Sequence, residues 1–93
     1  MKKHYDAVMD KFREMGFTET TSRSKKFTAL KKDGILGTFF VGRKMGNVRF
    51  SIVGMVSDSI TVNIYKHNLD GFENEIKRVE YWSNKRKNQY AKI

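Results

Sequence analysis

Apolar residues between Lys3 and Met15 recur at Tyr5, Val8, Met9, Phe12 and Met15, the spacing of one helical face. This predicts a helix over residues 3–15. Gly16 follows directly and suits a left-handed cap, with Phe17 folding back on the last turn. From Phe17 the period shifts toward two. "FTETTSRS" is rich in β-branched Thr and predicts a first strand. "KKFTALKK" predicts a second, with Phe27 and Ala29 on one face and Thr28 and Leu30 on the other. Asp33-Gly34 is a turn signal, and "LGTFFVG" predicts a third strand. Lys44-Met45-Gly46-Asn47 reads as a hairpin turn. "VRFSIVGM" follows as a fourth strand, with Val48, Phe50 and Ile52 on one face and Arg49, Ser51 and Val53 on the other. Ser57-Asp58-Ser59 turns the chain into "ITVNIYK", a fifth strand with Ile60, Val62 and Ile64 inward.

A second helix is expected from Asp70, where Asp70-Gly71-Phe72-Glu73 matches a capping box, to about Asn88. Its stripe is Phe72, Ile76, Val79 and Trp82. The fold class is therefore α+β: an N-terminal helix, an antiparallel meander of four to five strands and a C-terminal helix, both helices on one sheet face. The apolar strand "LGTFFVG" is a candidate edge for pairing with a second copy, so monomer and dimer both stay open.

Composition sharpens this picture. The 93 residues suffice for one domain, here 1–93 with a basic C-terminal extension from about 84 to 93. Seven Phe, four Tyr and one Trp supply a core that a disordered chain of this charge would lack. Without cysteine, disulfides and thiolate chemistry are excluded. No apolar run approaches the length of a membrane span, and no secretory signal is visible. No membrane contact is expected, and the expected location is cytoplasmic.

The net charge of +9 is unevenly spread. Residues 21–50 hold eight cations and one acid, and residues 77–93 hold six cations and one acid. Residues 51–76 between them are acidic, with Asp58, Asp70, Glu73 and Glu75 against one cation. Cations on strands, beside Ser and Thr hydroxyls, suit a phosphate backbone. The candidate nucleic-acid contacts are Arg23, Ser24, Lys25, Lys26, Lys31, Lys32, Arg43, Lys44 and Arg49, on a basic sheet face. Lys85, Arg86 and Lys87 form a secondary patch, where Tyr81, Trp82 and Tyr90 interleave with cations and could stack bases. Trp82 also falls on the apolar stripe, which favours a core role.

The succession "MGF", "SRSKKFTALKKDGI", "GTFFV" and "GNVRF" resembles the double-wing DNA-binding domain of the MotA type, from middle-promoter activators of T-even bacteriophages. The matching positions are Gly16, Phe17, Arg23, Ser24, Gly34, Gly46, Asn47 and Arg49, within residues 8–55. The resemblance implies a saddle-shaped sheet laid on duplex DNA, a phage-encoded chain acting in the host cytoplasm, and Arg23 and Ser24, with Lys25 and Lys26, as contacts. Past residue 55 the pattern departs, since "VSDSITVNIYK" follows directly as a strand where that family has a helix. Double-stranded-RNA-binding domains share the helix–sheet–helix layout, but their second helix begins with cations, whereas "NLDGFENE" is acidic.

Chemistry beyond charge is sparse. His4 and His67 stand without a Ser or Asp constellation. Asp6, Asp10 and Glu14 lie four apart among Lys3, Lys11 and Arg13, which favours ion pairs along the helix over a metal site. "GRKMGN" falls in a hairpin and precedes no helix, so it is no phosphate loop. No catalytic residue, metal site or cofactor is assigned, and an enzyme is not expected. Two function classes remain: a small basic protein that binds duplex DNA to regulate transcription or host processes, and a phage-encoded inhibitor, like anti-CRISPR proteins, that binds a host or defence protein.

Overall fold

A computed structural model of the chain describes residues 3–22, 24–51, 59–62 and 69–91; for residues 59–61 and 86–91 the description is of the backbone alone. The element order is α1 (His4–Glu14), β1 (Thr18–Thr20), β2 (Phe27–Lys31), β3 (Thr38–Gly42), β4 (Val48–Ser51), β5 (Ser59–Thr61) and α2 (Phe72–Ala91). The strands form one antiparallel sheet in the order β1-β2-β3-β4-β5. The fold is α+β, a meander between two helices. No helix among the described residues is long and apolar enough to cross a membrane.

The end of α1 follows from local sequence. Gly16 takes φ +89°, a conformation that costs a residue with a Cβ far more than glycine. Gly16 N then donates to Arg13 O at 3.0 Å, and Phe17 N to Phe12 O at 3.0 Å. These two bonds satisfy carbonyls that the last turn would otherwise leave open. The ring of Phe17 meets that of Phe12 at 5.1 Å.

Register decides which face is buried. Leu30, Phe39 and Phe50 form one rung across β2, β3 and β4, and Thr28, Val41 and Val48 form another. All six are buried. They face α1 and α2, whose Val8, Met9, Phe12, Phe72, Ile76 and Val79 complete the cluster. Five phenylalanines link the layers. Phe12 lies 5.2 Å from Phe39 and 5.0 Å from Phe72, while Phe39 lies 5.3 Å from Phe17 and 4.5 Å from Phe50. Burying each ring is worth roughly 1.5–3 kcal/mol, and each edge-on pair adds about 0.5–1.5 kcal/mol.

Several expectations are corrected. β1 is three residues long, not eight. Beyond it, Ser22 Oγ accepts from Ser24 N at 3.3 Å, and Ser24 Oγ accepts from Lys26 N at 3.2 Å. These hydroxyls capture backbone donors that a strand would need. Ser24, Lys25 and Lys26 therefore lie in a loop. β3 is the central strand, not an edge, so "LGTFFVG" offers no free edge to a second copy. α2 opens one residue later than the capping box implies. Glu75 N donates to Gly71 O at 3.0 Å, which gives Gly71 the N-cap place assigned to Asp70. The buried stripe of α2 ends on Ser83, wholly buried with Oγ donating to Leu36 O, while Trp82 is 42% exposed. Ile52, Val53, Ile64 and the 57–58 turn lie outside the described residues.

Phe39 sits at the centre of the ring cluster, so Phe39→Ala leaves a cavity between sheet and α1. It is expected to cost about 3–5 kcal/mol, a large part of the 5–15 kcal/mol typical of small domains. Urea unfolding followed by circular dichroism checks this, with Phe39→Leu losing markedly less.

Candidate nucleic-acid interface

In a meander, alternate loops share one end of the sheet. The β1–β2 loop (21–26) and the β3–β4 hairpin (43–47) lie together, while the β2–β3 loop (32–37) lies at the other end. A five-residue strand separates the two ends by about 16 Å. This topology sorts the candidate contacts.

Lys25, Lys26, Arg43 and Lys44 meet at the first end, where they line a cleft of about 540 Å³ with Phe27, Gly42, Met45 and Asn47. All four cations are exposed, none pairs with an acid among the described residues, and no acid lines the cleft. Ser24 stands beside them in the loop. Main-chain bonds hold the walls: Arg43 N donates to Lys26 O at 2.9 Å, and Gly42 N to Asn47 O at 2.8 Å. Arg43 Nε donates to Thr28 Oγ1 at 3.2 Å, and that oxygen lies 2.7 Å from the Tyr5 hydroxyl. A partly buried chain of polar groups on the helix-facing side thus links α1 and β2 to the guanidinium of Arg43. The hairpin docks on the start of α1 at Gly46, whose φ is +71°. A Cβ there would lie 2.7 Å from His4 Cδ2 and 3.1 Å from Tyr5 N.

The remaining candidates go elsewhere. Lys31 and Arg49 are on the open sheet face, where Arg49 lies over the Phe27 ring at 5.5 Å. Among the described side chains that face also carries Thr18, Thr20, Thr38 and Ser51 with Ala29 and Phe40, so hydroxyl and apolar groups outnumber cations there. Lys32 alternates to the helix side, 3.8 Å from Glu80 and over the Phe17 ring at 5.5 Å. Arg23 lies outside the described residues. Lys85 stands beyond the last buried turn of α2, its ammonium 4.9 Å from the Trp82 ring. Arg86 and Lys87 lie on α2, with side chains outside the description. Since Ser83 is bonded to the β2–β3 loop, Lys85 belongs to the end opposite the cleft. Among the described side chains, the two basic blocks do not converge.

Acids occupy other ground. Glu14, Asp70 and Glu73, with Lys11, line a depression between the end of α1 and the start of α2. Arg78 is tied to Glu75 through Nε at 3.2 Å, and this hydrogen bond raises the arginine pKa further above its ordinary value. Arg13 bridges Asp10 at 3.4 Å and Glu19 at 3.0 Å. Among the described residues no three His, Asp or Glu side chains stand together as a metal site.

Sequence reasoning missed Tyr5, Thr28, Phe27, Met45 and Asn47 as parts of this end. Met45, 64% exposed in the turn "RKMGN", carried the one visible signal: a large apolar residue between cations and glycine. Compared with family models, curated proteins and solved structures, the chain matches none.

Thr28→Val removes the hydroxyl that the Tyr5 hydroxyl and Arg43 Nε share. A stability loss of about 1–3 kcal/mol is expected, measured by urea unfolding. Tyr5→Phe in the same background should add little further loss, since its partner is already gone.

Proposed function

We propose that this chain is a nucleic-acid-binding protein that grips duplex DNA through the cleft end of its sheet. The reading rests on one observation: Lys25, Lys26, Arg43 and Lys44 converge from two loops with no acid among them. Four cations at one end neutralise phosphates and release counterions, and the Ser24 hydroxyl and loop N–H groups add directional bonds. The acidic depression, away from that end, repels the same polyanion and so orients it. The resemblance to MotA-type double-wing domains belongs to this proposal. It makes Arg23 and Ser24 additional contacts and phage transcription the setting. Lys31 and Arg49 extend the track along the open face.

The test is a salt series with a labelled duplex. Four phosphate contacts give a log–log slope of about −4, and Lys25→Ala with Lys26→Ala lowers its magnitude by about 2. Absence of binding at low salt removes the proposal.

A second reading, an inhibitor of a host protein, draws on one different observation. Tyr81 and Trp82 are 60% and 42% exposed, with rings 5.4 Å apart. Tyr and Trp dominate protein-interface energetics. On this reading, one stoichiometric partner is retained from nuclease-treated host lysate by the wild-type chain and lost with Tyr81→Ala/Trp82→Ala. The cleft variants leave that capture intact.

A further inference from the structure

We infer that the cleft between the two loops receives an unpaired base, so that the chain prefers DNA carrying an unstacked nucleotide to continuous duplex. This rests on the nucleic-acid reading and specifies what its site takes.

Phosphates call for cations and N–H donors and have no use for an apolar wall. This cleft has one. Phe27 and Met45 line it together with the stems of Lys25, Lys26 and Lys44. Neither Phe27 nor Met45 is among the residues packed on the core, and Met45 is 64% exposed at the tip of a turn that could have been wholly polar. A continuous duplex shows a protein its phosphates and the edges of its bases, while stacking hides the faces. Only an unpaired nucleotide offers a flat apolar face, and proteins take that face against aromatic and apolar side chains. The volume of about 540 Å³ falls within the range of about 300–1,000 Å³ usual for small-ligand sites. Asn47, an exposed lining residue whose Oδ1 lies against Gly42, has an amide nitrogen that can donate to a base edge. The cations around the mouth then hold the flanking phosphates. Cations and apolar side chains lining one cleft together fit a nucleotide better than either a bare phosphate or an apolar peptide.

Two labelled DNA hairpins test this, each closed by a non-nucleotide linker in place of loop bases and built on the same stem sequence: in one the 2-aminopurine is paired with thymine, in the other it is a single unpaired bulge. Anisotropy reads affinity, and 2-aminopurine emission reads the environment of the base. The bulged hairpin is expected to bind roughly tenfold tighter, with a change in emission on binding. Met45→Ser should erase most of that preference, lowering affinity for the bulged hairpin several-fold more than affinity for the paired one. Met45 is exposed, so its folding is expected to be unaltered by circular dichroism. Phe27→Ser should act in the same direction. Equal binding of the two hairpins with unchanged emission overturns the inference and leaves the duplex reading standing. A preference that survives both substitutions also overturns it, because the base then lies elsewhere. Failure of both hairpins to bind at low salt removes the nucleic-acid reading and this inference with it.

Discussion

The contact between Phe12 and Phe39 is the point on which the rest of the molecule depends. Phe12 belongs to α1 and Phe39 to the central strand, and their rings meet at 5.2 Å. Through Phe17, Phe50 and Phe72 the contact reaches the start of β1, the neighbouring strand β4 and the second helix. Small domains bury a modest fraction of their surface and have little stability to spare. Without this cluster neither helix has a reason to cover the sheet. The cleft depends on it indirectly: α1 must lie at this angle for His4 and Tyr5 to reach the hairpin and for the Tyr5 hydroxyl to reach Thr28.

Charge on this chain is organised by topology more than by composition. A meander sends successive loops to alternate ends, so cations adjacent in sequence separate in space. Lys25 and Lys26 join Arg43 and Lys44 across seventeen or more positions, whereas Lys31 and Lys32, a few residues along, go to the far end. There Lys32 is drawn to Glu80. Strand alternation then splits the neighbours Lys31 and Lys32 between opposite faces. The open face between the ends is mostly hydroxyl and apolar.

The elements were legible in the sequence because their signals are local. The stripe from Tyr5 to Phe12, the Gly16 cap and the alternation Val48-Arg49-Phe50-Ser51 each follow from spacing alone. Boundaries were less legible where side chains compete with the backbone. Ser22 and Ser24 end β1 early by capturing N–H groups, although their neighbours suit a strand. Trp82 continues the apolar period, which points it to the core. The helix instead rotates Ser83 inward, where a hydroxyl can reach the Leu36 carbonyl. The site was the least legible part. Block charge singles out Lys25, Lys26, Arg43 and Lys44 together with Arg23, Lys31, Lys32 and Arg49 as candidates, but which of them meet depends on loop placement. That the Thr28 hydroxyl joins Tyr5 to Arg43 follows from pairing between residues far apart in the chain.

The spacing of the two loops is set by backbone atoms, through Arg43 N to Lys26 O, and Gly42 N to Asn47 O closes the hairpin itself. Shape and chemistry are thereby uncoupled at this end of the protein. Side chains at positions 25, 44 and 45 can be exchanged without moving the frame that carries them. Under the nucleic-acid function proposed above, a new recognition preference would need only new tips on an unchanged mount.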